Sequence, residues 1–77
     1  MTKTIIKKGQ MLTDTEGMYE ITGFNEKGGS LVTVREMIFS DEGDDYELGE
    51  ELYFTESEVK NCLKHETGVN YDKIEIE

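Results

Sequence analysis

The chain has 77 residues, 35% of them hydrophobic, with one Cys, no Pro, no Trp and a formal net charge of −10 at pH 7. This length predicts a single small domain over residues 1–77, and without a run of about 18 apolar residues no membrane partner is expected. A lone Cys excludes an internal disulfide and a four-cysteine zinc site. Because we also expect no secretory signal, the sequence favours a cytoplasmic location.

The negative charge is concentrated in the middle of the chain. Residues 36–59, which we call the acidic segment, contain ten of the 18 acids and no Lys or Arg, so the eight bases balance the other eight acids. Direct binding to nucleic acid is not expected, because phosphate contacts need a basic surface.

The first third of the chain predicts short strands joined by a tight turn. Ile5–Lys7 and Gln10–Thr13 are candidate extended segments, and Asp14–Gly17 has the composition of a turn. Met18–Phe24 follows with the alternation typical of a strand. Two adjacent glycines between this strand and the next predict a hairpin loop over residues 25–30.

The middle of the chain predicts the strongest strand and then a bent one. Leu31–Phe39 is apolar on both faces, as expected where a sheet curls, closes into a barrel or is covered. A polar loop over 40–45 leads to Tyr46–Leu48. Gly49–Glu50 predicts a bend, after which Glu51–Phe54 continues the extended structure.

The start of a helix is the clearest local pattern in the sequence. Thr55 and Glu58 have the spacing of a capping box, in which each side chain accepts a hydrogen bond from the other's backbone amide. The helix is predicted from about Glu56 to about Glu66, with Gly68 as its C-terminal stop. Its apolar stripe consists of Val59, Cys62 and Leu63.

A final strand is predicted over Asp72–Glu77, so the helix precedes the last strand. This order, with Gly-Gln-Met-Leu at 9–12 and Asp-x-x-Gly-x-Tyr-Glu-Ile at 14–21, resembles small bacterial or phage proteins with an SH3-like β-barrel. The resemblance implies a mainly β (α+β) fold, a small antiparallel barrel of about five strands with one short helix before the last strand. The motifs of the peptide-binding SH3 subclass have no match here, so its ligand site is not carried over.

Two residue clusters contain the residue types of a chemical site. Cys62 and His65 are three residues apart on the predicted helix, a spacing open to a nucleophile and its base, but Cys62 belongs to the apolar stripe. Acids surround Gly43, yet their spacing does not fit a calcium-binding loop, which favours a solvated loop. We therefore predict no catalytic residue, no metal and no cofactor.

The acidic segment remains as the candidate functional surface. The sequence predicts a non-enzymatic protein-interaction module that presents this surface to a basic protein partner. The candidate binding residues are its carboxylates and interleaved tyrosines: Glu36, Asp41, Glu42, Asp44, Asp45, Tyr46, Glu47, Glu50, Glu51 and Tyr53.

Other interpretations stay open at this point. The same charge fits a solvated face that only maintains solubility. It also fits a phage-type nucleic-acid mimic that inhibits a host nucleic-acid-binding protein, or a weak divalent-metal-binding domain or small enzyme. A homodimer through Ile5–Lys7 or Asp72–Glu77 is a further alternative.

Overall fold

The computed structural model describes residues 2–25, 29–41, 43 and 45–77 of the chain. These residues form a mainly β structure with one helix, as predicted. The strands are β1 (Lys3–Ile6), β2 (Met11–Thr13), β3 (Met18–Phe24), β4 (Val32–Phe39), β5 (Tyr46–Phe54) and β6 (Lys73–Ile76), with helix α1 (Glu56–Thr67) between β5 and β6.

The strands form two separate sheets. One is an antiparallel meander in the order β2-β3-β4-β5, and the other is the parallel pair β1-β6. Because the last strand pairs with β1 rather than with the meander, β2 and β5 are left as its two edges among the described strands. The meander is therefore not closed, and the SH3-like barrel of about five strands is not confirmed.

Most of the predicted strands are present, with shifted ends. The prediction Met18–Phe24 matches β3 at both ends, and Leu31–Phe39 differs from β4 by one residue. The first strand begins earlier than Ile5–Lys7, because Lys3 pairs with Lys73 in the parallel register. The tight turn between β2 and β3 lies where Asp14–Gly17 was predicted.

The predicted bend in the fifth strand is a β-bulge within one continuous strand. Arg35 lies opposite Glu51, and Met37 lies opposite Leu48, so β5 has one more residue than β4 in this interval. Gly49 suits the bulge, since a Cβ atom there would lie 2.8 Å from Cδ1 of Ile38. Arg35 Nε donates a hydrogen bond to the Gly49 carbonyl at 2.9 Å.

The core lies between the inner face of the meander, α1 and the β1-β6 pair. Tyr19 of β3 packs edge-to-face on Phe54 of β5, with ring centroids 5.0 Å apart. The buried residues are Ile6, Leu12, Tyr19, Ile21, Val32, Val34, Phe54, Val59, Cys62, Leu63 and Ile74. The three residues of the predicted helical stripe are thus all buried.

Helix α1 is capped at both ends by the residues that the sequence indicated. Thr55 Oγ1 accepts a hydrogen bond from the Glu58 amide at 3.3 Å, and Glu58 Oε1 accepts one from the Thr55 amide at 3.2 Å. Gly68 has a φ of 75° and donates its amide to the Lys64 carbonyl at 2.7 Å. The helix extends one residue beyond the predicted end, to Thr67.

Removing the N-cap should destabilise the domain measurably. In Thr55→Ala the Glu58 amide loses its hydrogen-bond acceptor, and we expect the free energy of unfolding to fall by about 1 kcal/mol. Thr55→Ser keeps the hydroxyl and should retain most of the stability. Urea denaturation of the three proteins measures this difference, and equal stability of the Ala and Ser variants would contradict the role of the cap.

Candidate functional site: an acidic arm and an acidic groove

The ends of β4 and β5 extend beyond the rest of the meander. The register between β3 and β4 stops at the pair Tyr19 and Glu36, whereas β4 and β5 stay paired as far as Phe39 and Tyr46. We call residues 37–39 and 46–48 the β4–β5 arm. Its strands have only each other as strand neighbours within the described residues, so both edges of the arm are open.

Large apolar side chains are exposed on this arm. The exposed fraction is 51% for Ile38, 45% for Phe39, 43% for Tyr46 and 36% for Leu48. Phe39 and Tyr46 contact each other across the strands, with ring centroids 5.5 Å apart. Alternation along β4 predicts Ile38 on the same face as the buried Val32 and Val34, but Ile38 lies beyond the part of β4 that pairs with β3 and is exposed.

The predicted acidic residues lie along the arm and the strand that continues from it. Among the described ones, exposed carboxylates are found on Glu36, Asp41, Asp45, Glu47, Glu50 and Glu51. Glu42 and Asp44 lie outside the described residues. The structure therefore places six predicted carboxylates on β4, on β5 and at positions 41 and 45 between these strands.

None of these carboxylates forms an ion pair within the described part of the chain. The ion pairs found there are both in the parallel sheet, where Lys3 and Lys73 contact Glu75 Oε1 at 3.5 and 3.6 Å. Arg35 and Lys60 flank the acidic segment in sequence, and they donate hydrogen bonds to the carbonyls of Gly49 and Asp72 instead. The carboxylates of the acidic segment are thus not ion-paired with any cation among the described residues.

The two predicted tyrosines both donate hydrogen bonds to carboxylates. Tyr46 Oη donates to Glu20 Oε1 at 3.3 Å, which ties the arm to β3. Tyr53 Oη donates to Glu51 Oε1 at 2.9 Å. The hydrogen bond and the charge of Glu51 raise the pKa of Tyr53 above its ordinary value. Tyr53 is 58% exposed, so its ring is accessible to a partner.

A groove with a volume of about 540 Å³ lies beside the C-terminal end of β5. It separates the turn between β2 and β3 from the first half of α1, and we call it the acidic groove. Its lining residues are Asp14, Thr15, Glu16, Tyr19, Leu52, Tyr53, Phe54, Glu58, Asn61 and Cys62. This set contains three carboxylates and no Lys or Arg.

The carboxylate of Asp14 organises one wall of the groove. Its Oδ1 accepts hydrogen bonds from the amides of Glu16 at 2.8 Å and Gly17 at 3.0 Å, the arrangement of an Asx-turn. Its Oδ2 faces the Cys62 thiol at 4.0 Å. One oxygen therefore holds the turn, and the other has only a weak contact.

Tyr19 forms part of the floor of the groove. Its side chain is 6% exposed, and its hydroxyl lies beside Gly17, 3.9 Å from where a Cβ atom would be. This hydroxyl forms no hydrogen bond to any described residue. Burial, with Asp14 and Glu16 nearby, raises the pKa of Tyr19 above its ordinary value, so the hydroxyl keeps its proton.

The cysteine and histidine of the helix have different surroundings. Cys62 is 1% exposed, while His65 is exposed in the last turn of α1. Burial, reinforced by the charges of Asp14, Glu66 and Glu58, raises the pKa of the Cys62 thiol to about 11. A thiol with this pKa is protonated at neutral pH, as expected of a core residue rather than of a nucleophile.

No local sequence pattern predicts the acidic groove. The sequence places Asp14 and Glu16 in a turn, Tyr19 in a strand, and Glu58 in both the helix cap and the acidic segment. The Asp-x-x-Gly spacing did indicate the turn, but no local pattern indicates that this turn faces α1 across 48 residues of sequence.

Comparisons with known proteins do not identify a relative of this chain. No protein-family model, curated protein or solved structure matches the chain. Across the described ranges, His, Cys, Asp and Glu do not form a group of three or more arranged to hold a metal ion. The helix described here is not long and apolar enough to cross a membrane.

The buried thiol gives the stability a specific pH dependence. An unfolded Cys loses its proton near pH 8.5, whereas the native thiol holds it until about pH 11. Between these values only the native state keeps this proton, so the free energy of unfolding should fall by up to about 1.4 kcal/mol per pH unit.

Cys62→Ala removes this titration and isolates its effect. The variant should be less stable at pH 7 because packing is lost, but its stability should depend less on pH between about 8.5 and 10. Urea unfolding at several pH values compares the two slopes. Equal slopes would show that Cys62 is not responsible for the decline.

Proposed function

We propose that the protein is a non-enzymatic interaction module that presents its acidic segment to a basic segment of another protein. The observation that carries the proposal is the row of exposed carboxylates on β4 and β5, none of which is ion-paired within the described residues. Opposite charges on two partners accelerate encounter and set the register of binding. Carboxylates that are not ion-paired within the described residues are available to attract a basic partner in this way.

Strand β5 supports a specific mode of binding. It has nine residues and is an edge of the meander, with β4 on one side and no described strand on the other. The amide and carbonyl groups on its outer edge are not paired with any described strand, and an added strand can bind them. We propose that an extended basic segment of the partner pairs with β5 in this way.

The charges on β5 favour a basic partner over a second copy of the same chain. Pairing β5 with another β5 would bring Glu47, Glu50 and Glu51 of the two copies close together, and like charges across neighbouring strands are destabilising. A homodimer through β1 or β6, the alternative raised from the sequence, has no such charge conflict because Lys3 and Lys73 balance Glu75 there. We place the basic partner on β5.

The exposed apolar side chains of the arm support contact with a protein. Ile38, Phe39 and Tyr46 contribute to a shallow hollow of about 370 Å³. Buried aromatic and aliphatic anchors supply most of the binding energy in protein interfaces, whereas exposed charges supply less. The arm thus offers anchors next to the carboxylates that attract the partner.

A synthetic decapeptide of alternating Lys and Thr tests the proposal directly. We expect binding at low salt, with the largest amide chemical-shift changes in β5. The triple variant Asp45→Asn, Glu47→Gln, Glu50→Gln should weaken binding by about tenfold, since each exposed charge contributes a few tenths of a kcal/mol or more. The matched control Glu66→Gln, Glu75→Gln, Glu77→Gln has the same net charge and should bind like the wild type.

Two further measurements separate the proposal from its alternatives. Methylation of alternate peptide amides should abolish binding if β5 accepts a strand, because the donors are lost. Equal weakening by the two triple variants would contradict a localised site and leave only non-specific attraction. For a partner identified later, displacement of this protein by duplex DNA would instead support the nucleic-acid mimic.

A further inference from the structure

We infer that the edge of β5 binds strand β1 of a second copy of this chain. The inference rests on the function proposed above, because it uses the same edge of β5 and identifies the extended basic segment as β1. The protein thus associates with itself through two unlike edges, one basic and one acidic.

Strand β1 lies in a basic stretch of the chain. Residues 2–13 include Lys3, Lys7 and Lys8 but no Asp or Glu, and no other part of the sequence has as long a run without an acid. Lys3 contacts Glu75 of β6, whereas Lys7 and Lys8 form no ion pair within the described residues. The chain itself therefore contains an extended basic strand of the kind that β5 is proposed to bind.

One edge of β1 has no described strand on it. The sheet that contains β1 has β6 as its second strand and ends there. The carbonyls of Thr2 and Ile6 accept hydrogen bonds from amides on the β6 side, at 2.7 and 2.9 Å. Backbone groups alternate in direction along a strand, so those of Lys3 and Ile5 point to the opposite edge. An added strand can pair with them there.

The exposed side chains of the two edges are complementary. Ile5 is 55% exposed and Tyr53 is 58% exposed. Tyr53 shares its face of β5 with Glu51, to which it donates a hydrogen bond at 2.9 Å. When Ile5 lies opposite Tyr53, the position opposite Glu51 is two residues from Ile5. That residue is Lys7 in an antiparallel pair and Lys3 in a parallel pair, so either direction joins a lysine to a carboxylate.

Charge selects the pairing of unlike edges. Two β5 strands bring carboxylates together and two β1 strands bring lysines together, and like charges on neighbouring strands are destabilising. A β1 strand on a β5 strand joins opposite charges. Because one copy contributes β1 and the other contributes β5, the contact is heterologous, and further copies can add until a ring closes.

The contact is small, which sets the conditions for detecting it. Strand β1 has four residues, and stable interfaces bury about 1,200–2,000 Å² in total. The net charge of −10 also repels two copies at long range. At an ionic strength of about 0.15 M the Debye length is about 8 Å, so this repulsion is screened while charges in contact still attract. We expect weak association that rises with protein concentration.

Sedimentation equilibrium measures this association in the full chain. Between about 20 μM and about 1 mM, the average mass of the wild type should rise with concentration. The reversal Lys3→Glu, Lys7→Glu makes both edges acidic, and Glu50→Lys, Glu51→Lys makes both edges basic. Each variant alone should stay monomeric over this range. A wild type that stays monomeric would overturn the inference.

Mixing the two reversed variants isolates the contact between β1 and β5. In the mixture each β1 meets a β5 of opposite charge, so association should return to within about threefold of the wild type. The control Lys60→Glu, Lys64→Glu has the same net charge as the β1 variant but changes α1, and mixing it with the β5 variant should restore much less. A monomeric mixture of the reversed variants, or equal recovery with the control, would contradict pairing of these two edges.

A synthetic peptide of residues 2–8 tests the same contact without altering the fold. Added to the wild-type protein, it should shift the amide signals of Glu50–Tyr53. The same peptide with Ile5→Ser keeps all three lysines and should bind several-fold more weakly, because the contact with Tyr53 is lost. Equal binding of the two peptides would show that charge alone attracts them and would overturn the assignment of β1.

The outcomes distinguish this inference from the proposed function. If the Lys-Thr decapeptide binds β5 but the wild type stays monomeric, the inference fails and the proposed function stands. If the reversed variants associate only when mixed and the decapeptide does not bind, β5 recognises its own chain, so the inference holds and the proposed function fails.

Discussion

The direct join between β5 and α1 is the constraint on which the rest of the structure depends. Phe54 ends the strand in the core, Thr55 caps the helix, and Glu56 begins it, so there is no loop that would let the helix move. The helix consequently lies against β2 and the end of β5, where it buries Val59 and its neighbours. The same geometry sets Glu58 opposite the turn at Asp14 and so creates the groove.

Unequal strand lengths separate the two parts of the candidate surface. The part of the meander that has four strands builds the core, whereas the additional length of β4 and β5 builds an arm that the core does not need. Apolar side chains that a small domain leaves exposed lower its solubility. The exposed carboxylates near Ile38 and Phe39 offset that cost.

The sequence was informative where structure is determined by neighbouring residues. Thr55 and Glu58 predicted the helix start, alternation predicted β3 and β4, and Gly49 predicted a bend that proved to be a bulge. The parallel pairing of Lys3–Ile6 with Lys73–Ile76 was not predicted, because it joins segments far apart in the chain and has no local pattern. The groove likewise has no local pattern, because its walls come from three separate elements.

The pairing of the two ends of the chain has a consequence for folding kinetics. Thr2 and Asp72, 70 residues apart, are hydrogen-bonded at 3.2 Å, so β1 and β6 can meet only after a loop of nearly the full chain length has closed. Such contacts cost the most chain entropy and are expected after the local hairpins of the meander. Substitutions in β1 should therefore accelerate unfolding rather than slow folding.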